Sequence, residues 1–312
     1  MDKTPLVLGI DGGATKSLGL LADGDKAVRA RCVVGPSNQN VIGIRAAAAN
    51  LAELILLCCR EAGCAPAAVT RAVIGLAGAG AEHERSALAG AVNDLLARQG
   101  GHAIPIVIDT DARIALEGAF AGGPGVVVIA GTGSIVIGKT PSGSITRVGG
   151  WGRTLGDEGS GYDIGLRAIK ALTKEIDGRG SAGSLRNLLA AGFNLNTREA
   201  LITSVYRGSL DIPAIAPLVL DAARNDDPVG LSILRDAAAP LADQVGAVIR
   251  QFDTGGPTGV VFIGGLIDHT TVYSRILREA IAATTPSAEV REALHPPAFG
   301  AVLMALTQVT TS

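Results

Sequence analysis

Leu6-Val7-Leu8-Gly9-Ile10-Asp11-Gly12-Gly13-Ala14-Thr15-Lys16 is an apolar run that ends on a carboxylate and turns on a pair of glycines. A second stretch, Gly125-Val126-Val127-Val128-Ile129-Ala130-Gly131-Thr132-Gly133-Ser134, has the same form. A shift of 119 residues carries Ile10 onto Ile129, Gly12 onto Gly131 and Gly24 onto Gly143. Such runs read as buried strands, and glycine after them lets the backbone come close to a ligand that a side chain would block. The sequel repeats too. Ser17 to Ala22, the turn Asp23-Gly24-Asp25 and Ala27 to Val34 make a meander in the first copy; Ile135 to Lys139, Pro141-Ser142-Gly143 and Ser144 to Val148 make one in the second.

The first copy goes on through the loop Gly35-Pro36-Ser37-Asn38, one helix over Val41 to Ala62, a strand over Val69 to Leu76, and a helix over Ala81 to Arg98. A strand over Ile104 to Ile108 then delivers Asp109, Thr110 and Asp111 to a helix over Ala112 to Phe120. The second copy is interrupted after Val148 by a helical insertion from Asp157 to about Asp253, with breaks at Gly178, Gly192, Pro213 and Pro228. It resumes with a strand over Gly259 to Ile263, Gly264-Gly265, a helix from about Thr270 to Ala283 and a closing helix from Pro297 to about Leu306. Hairpins followed by strand-helix-strand units imply an α/β chain with a duplicated, mixed five-stranded sheet and flanking helices. The expected lobes are residues 1–115 and 116–312, the second holding the insertion at about 157–253 and the last helix packing back on the first. A cleft between such halves is a natural ligand site.

Composition narrows the function. The 312 residues can bury a full core in two domains of roughly 150 residues each. A net charge of -2 with interspersed signs gives no electrostatic footprint for nucleic acid or an anionic membrane, so the partner is expected to be small. The longest apolar stretch, Ala46 to Cys59, is broken by Asn50 and Glu53 and falls short of a span; the start of the chain reads directly into a strand, without a signal peptide. Cys32, Cys58, Cys59 and Cys64 have neither zinc spacing nor disulfide density and read as core residues in a reducing cytoplasm. His83, His102, His269 and His295 share no metal spacing.

Two glycine turns with a lone carboxylate between them in sequence point to phosphoryl transfer. In the first turn, backbone N–H groups of Gly12, Gly13 and Ala14 can form an anion nest beside Thr15 and Lys16; a tight hairpin is the plain alternative. Asp11, a carboxylate at the end of a buried strand, suits a hydrated Mg²⁺ held beside phosphates. The second turn offers Thr132 and Ser134. Asp111 is the candidate base for a sugar hydroxyl, or the cap of its helix, with Asp109 competing for either role. Asn38 can bind sugar hydroxyls or close an Asx turn. Gly149 to Gly161 is glycine-dense, carries the single Trp, Trp151, and runs through Asp157 into a helix. Gly133 to Thr140 spells a Walker A motif, but Ile135-Val136-Ile137 reads as strand where a P-loop needs a helix. No arginine is evidently aimed at the site.

At Gly9 to Lys16, Gly35 to Asn38, Thr110-Asp111-Ala112, Ala130 to Ser134 and Gly149 to Ser160, the sequence resembles the BadF/BadG/BcrA/BcrD ATPase family, within the actin-like sugar-kinase superfamily. It is most similar to that family's N-acetylglucosamine kinases, from Leu6 to about Met304. The resemblance implies a two-lobed actin-like (ribonuclease H-like) fold, ATP and Mg²⁺ as cofactors, an amino sugar as substrate and a homodimer. It also implies that Gly12, Gly13, Thr15 and Lys16 meet one side of the triphosphate and Gly131 and Thr132 the other, with Gly264 and Gly265 against adenosine. Asp111 would act as base on the sugar 6-hydroxyl, and Asn38, Gly133, Ser134, Trp151 and Asp157 would hold the sugar. Family members that read Gly-Thr-Gly-Ser-Asn differ here, where the fifth position is Ile135; glucosamine and N-acetylmuramic acid kinases are alternatives. A further alternative is an ATPase activator of 2-hydroxyacyl-CoA dehydratases or benzoyl-CoA reductases, whose iron-sulfur cluster sits on cysteines in the second half. Here every cysteine precedes Asp111.

Overall fold

The structure is a computed structural model that describes residues 5–99, 102–208, 210–252, 256–268 and 270–310. His269 and the end of the insertion at Asp253 lie outside the described residues. The chain divides into two compact units, one of Met1–Pro124 with Glu292–Ser312 and one of Gly125–Arg291.

The first unit opens with β1 (Leu6–Gly12), β2 (Ser17–Asp23) and β3 (Val28–Val34), then α1 (Gln39–Ile42), α2 (Ile44–Glu61), β4 (Val69–Leu76), α3 (Glu82–Arg98), β5 (Ile106–Thr110) and α4 (Asp111–Ala119). The second contains β6 (Gly125–Ala130), β7 (Ser134–Lys139), β8 (Ile145–Gly149), α5 (Gly161–Ile176), α6 (Leu185–Phe193), α7 (Arg198–Tyr206), α8 (Ala216–Arg224), α9 (Pro228–Ile249), β9 (Thr258–Ile263), α10 (Val272–Thr284) and β10 (Ala288–Arg291). The chain then returns to the first unit as α11 (Pro297–Thr310).

The two sheets have one topology. Their orders are β3-β2-β1-β4-β5 and β8-β7-β6-β9-β10, with β1 and β6 antiparallel to the hairpin strand on one side and parallel to β4 and β9 on the other. The expected duplicated, mixed five-stranded sheet is thus present. In the first unit, Leu8, Ile10 and Ile74 face α2 and α3, packing with Leu51, Leu54, Leu88 and Leu96, while Val7 and Val73 face α11. Burial on both faces explains why β1 and β4 are nearly continuous apolar runs. The second sheet packs Val126, Val128, Val136, Val260 and Phe262 against the insertion helices and α10.

Two elements differ from expectation. The single helix over Val41 to Ala62 is two helices, because Gly43 takes φ 80° and ψ 155° and ends α1 before α2 begins. β10 has no counterpart in the expected strands, since Ala288-Glu289-Val290-Arg291 has no apolar run; it pairs only with β9, and edge strands tolerate charge. Cys32, Cys58 and Cys59 are buried as expected, and burial pushes the Cys59 thiol up to about 12.

The seat of α11 is unusually close. A Cβ on Gly300 would stand 1.9 Å from the Ile114 carbonyl oxygen and 2.4 Å from the Gly118 nitrogen, both in α4, and one on Gly9 would stand 2.4 Å from the Ala298 carbonyl oxygen. Ala298, Ala301 and Ala305 complete the small face. Backbone cannot swing aside as a flexible side chain can. Gly300→Ala is therefore expected to destabilise the chain by about 1–3 kcal/mol, the usual cost of overpacking, read as a lower urea midpoint at unchanged slope.

Candidate active site

In the first unit, β1, β4 and β5 run parallel, so the loops after them gather at one edge of the sheet, where ligands of open α/β sheets are commonly bound. Asp11 is the penultimate residue of β1, and Asp111 is the first residue of α4. The cap of α4 is Thr110, whose Oγ1 accepts the Arg113 N–H at 3.1 Å. The capping role open to Asp111 therefore belongs to its neighbour. The Asp111 Oδ1 still accepts the Ala112 N–H at 2.8 Å, and Asp109 lies within β5, accepting the Thr110 N–H at 2.7 Å.

Asp11 and Asp111 are both half-buried and electrostatically coupled. Burial raises the Asp11 carboxyl above the ordinary carboxylate range, the Asp111 charge raises it further, and Lys16 draws it back. Burial likewise raises Asp111, against the Ala112 N–H that favours its charged form. Two carboxylates in one partly dry place suit a cation.

The hairpin turn differs from the expected nest in one respect. The Gly13 N–H is engaged within the turn, donating to the Lys16 carbonyl at 3.0 Å, whereas the N–H groups of Ala14, Thr15 and Lys16 make no hydrogen bond among the described residues. The Gly13 carbonyl accepts from Ser37 and Asn38 at 3.0 and 3.2 Å, and the buried Ser17 hydroxyl donates to Ser37 at 2.7 Å. These bonds hold Asn38 beside the turn. Its Oδ1 accepts the Asn40 N–H at 3.0 Å, closing an Asx turn, and its side-chain NH₂ makes no bond among the described residues.

In the second unit, the Gly131 and Thr132 carbonyls accept the Gly161 and Tyr162 N–H groups at 2.8 and 3.3 Å, joining the turn to the start of α5. The buried Ser134 hydroxyl donates to the Glu158 carbonyl at 2.7 Å, and the Ser134 N–H points to Asp157 Oδ1 at 3.4 Å. Asp157 takes a positive φ of 59°, and its carboxylate lies against Gly133, where a Cβ would stand 3.0 Å from Oδ2. Gly133, Ser134 and Asp157 are thus brought together. Gly264 packs against the end of β6 and Gly265 is open. Trp151 is 69% exposed, with the Arg147 guanidinium 5.9 Å from its ring centre. Ile135 packs its Cδ1 against Gly150.

A cavity of about 590 Å³ opens beside this turn. Thr132, Arg153, Asp157 and Asp211 give it polar groups, and Val205, Leu210, Ile212 and Pro213 supply apolar surface with Tyr162. Arg153, which the sequence does not single out, lines the same cavity as Thr132 and Asp157; it makes no ion pair or hydrogen bond among the described residues. Its place in the glycine-dense stretch was the available signal. Val205, Leu210, Ile212 and Pro213 belong to no motif.

The sequence profile of the BadF/BadG/BcrA/BcrD ATPase family matches residues 8–305. The chain belongs to this family. It is 32% identical over 306 residues to an N-acetylmuramic acid/N-acetylglucosamine kinase of Clostridium acetobutylicum, covering 97% of this chain and 98% of the relative. It is 31% identical over 315 residues to an N-acetyl-D-glucosamine kinase of Dictyostelium discoideum, covering 96% and 98%. A solved structure of a candidate N-acetylglucosamine kinase from Chromobacterium violaceum superposes with a TM-score of 0.71 at 27% identity, covering 97% of this chain and 99% of that one. The fold is the actin-like ATPase fold of these sugar-kinase neighbours.

Among the described residues no cluster of three or more His, Cys, Asp or Glu could hold a metal by itself, and no helix is long and apolar enough to cross a membrane. Mg²⁺ bound with a nucleotide keeps several waters and takes one or two carboxylates beside phosphate oxygens, and Asp11 fits that donor set. Because folding raises both carboxyl pKa values, the fold favours their neutral forms. Relative to a permanently neutral residue, wild type is penalised increasingly as the pH rises from the unfolded value of about 3.9, in full once it passes the folded values, and escapes the penalty below the unfolded value. Asp11→Asn is expected to raise the Tm of the ligand-free protein at pH 7, with the gain vanishing near pH 3; equal gains at both pH values would show that charge is not its origin.

Proposed function

We propose that this chain is an ATP-dependent kinase that transfers the γ-phosphoryl group to the 6-hydroxyl of an amino sugar, N-acetylglucosamine or a close relative, in the cytoplasm. The observation that carries the reading is Asp111, half-buried, raised in pKa by burial and coupled to Asp11, with its helix capped by Thr110 instead. A carboxylate so placed can accept the hydroxyl proton as the oxygen attacks phosphorus. The named activities of the two relatives, matched over nearly their whole lengths, support the substrate class.

Roles follow from the available groups. Ala14, Thr15 and Lys16 offer backbone N–H groups to the phosphates, Lys16 adds its charge, and Thr132 offers an exposed hydroxyl from the second unit. Asp11 holds the magnesium ion. That ion supplies charge neutralisation on the phosphate oxygens. Asn38 and Asp157 bind sugar hydroxyls through the unbonded NH₂ and the carboxylate beside Gly133. Ser134 acts by position, since its hydroxyl proton is committed to the Glu158 carbonyl. The apolar side chains of Leu210, Ile212 and Pro213 are suited to a nucleotide base, and Arg153 adds a cation to the same cavity, where Asp157 and Asp211 are the acids. The activator reading is disfavoured by the cysteines, all four of which precede Asp111, with three buried in the first unit and none in the second.

Asp111→Asn is expected to lower kcat by about 10²–10⁴-fold with small changes in either KM. The acid limb of the wild-type kcat/KM profile should lie above the ordinary carboxylate range and be absent from the residual activity of the variant. Near wild-type turnover in that variant would remove Asp111 from the chemistry. Thr132→Val is expected to raise the KM for ATP much more than that for the sugar; equal rises would argue that this turn is not a phosphate site.

A further inference from the structure

The second unit has another concavity, about 420 Å³, between the later turns of α5 and the first turns of α9. Arg167, Lys170 and Lys174 line it from α5, and Ser181, Ser232 and Asp236 complete its polar lining. The spacing 167, 170, 174 puts three cations on one helical face, where like charges repel and destabilise unless something negative faces them. Arg167 is held by Asp163 through Nε at 2.9 Å. Lys170 and Lys174 make no ion pair among the described residues, and Asp236 is the single acid on the wall. The backbone donors at the start of α9 are engaged, because the Val229 and Gly230 N–H groups both donate to Asp227 at 2.9 Å. The donors left are the two ammonium groups, the terminal guanidinium N–H groups of Arg167 and the serine hydroxyls.

We infer that this α5–α9 cavity is a separate binding site for a small phosphate-bearing anion, with Lys170 and Lys174 as its charged donors. An ammonium is a compact point charge with three donors, suited to phosphate oxygens, and hydroxyls complete the shell without adding charge. The volume admits inorganic phosphate or a hexose phosphate. The same helix is bonded at its other end to the Gly131-Thr132 turn, through Gly161 and Tyr162. A ligand on the later turns of α5 therefore binds the element that begins at the candidate active site.

The test is titration calorimetry of the full chain in chloride buffer, with the active site first saturated with a non-hydrolysable ATP analogue and N-acetylglucosamine. Inorganic phosphate and N-acetylglucosamine 6-phosphate are the two probes. At least one probe is expected to bind once per chain, about tenfold or more weaker in Lys170→Ala and in Lys174→Ala, and undetectably in the double variant. The double variant should have a Tm no lower than that of wild type and should keep its turnover in phosphate-free buffer. Tighter binding of the sugar phosphate identifies a phosphosugar as the ligand, and equal or tighter binding of phosphate identifies the free ion. Absence of binding by both probes, or binding unchanged in the double variant, overturns the proposal. Should the ATP analogue itself fail to bind, the kinase reading fails, while the comparison of wild type with the lysine variants still decides this one.

Discussion

Asp111 stands where it does because a helix from the far end of the chain presses on the helix it opens. Gly300 of α11 lies so close to the Ile114 carbonyl and the Gly118 nitrogen that no side chain fits, and Gly118 in turn lies against the His295 and Pro296 carbonyls. The Leu294 and His295 N–H groups donate to the Ala119 and Gly118 carbonyls at 3.0 and 3.1 Å, so the end of α4 is held by hydrogen bonds as well as by packing. Residues after Glu292 carry no evident chemistry. They nevertheless set the position of the carboxylate on which the candidate chemistry turns, since α4 has only nine residues and would be marginal as an isolated helix.

The same carboxylate is held against its electrostatic preference. A charged group that loses water on folding favours neutrality, and Asp11 also feels the charge of Asp111. Lys16 offsets part of this for Asp11, and the Ala112 N–H does so for Asp111. The unliganded unit therefore carries a local destabilisation that a cation or a shared proton relieves. Such a cost is common where function rather than stability selects the residues.

Most of the sheet was legible because β1, β4, β6 and β9 are buried on both faces and so cannot alternate with polar residues. β10 was not, because an edge strand with Glu289 and Arg291 on it offers neither an apolar run nor a turn signal. The start of α4 was ambiguous for a chemical reason: Thr110 and Asp111 are both good caps, and only the bond from Arg113 N–H to the Thr110 hydroxyl separates them. The turn at Gly12-Gly13 was visible as a turn, but which N–H groups stay unbonded depends on the Gly13 to Lys16 closure. The apolar side of the cavity, Val205, Leu210, Ile212 and Pro213, could not be read at all, since packing of the insertion brings it to Thr132 and Asp157 from far along the chain with no motif spacing.

The duplicated turns show why the repeat is one of strands and not of sites. In the first, the Gly13 carbonyl fastens the Ser37-Asn38 loop and three N–H groups make no bond among the described residues; in the second, carbonyls take the first N–H groups of α5 and the Ser134 hydroxyl is committed to Glu158. The second turn needs the glycine-dense stretch beside it. Gly133 must lack a Cβ for the Asp157 carboxylate to approach, and Gly159, at φ 76°, sits where a Cβ would meet the Tyr273 hydroxyl at 2.7 Å and the Ala237 carbonyl at 2.9 Å. That buried hydroxyl donates to the Gly159 carbonyl at 2.9 Å, and losing it would leave a buried acceptor unpaired at a cost of about 1–3 kcal/mol. The glycines at 133 and 159 therefore answer to packing, the first against the Asp157 carboxylate and the second against Tyr273 and Ala237. What the second turn leaves available is the Thr132 hydroxyl and the Asp157 carboxylate, which share one cavity with Arg153.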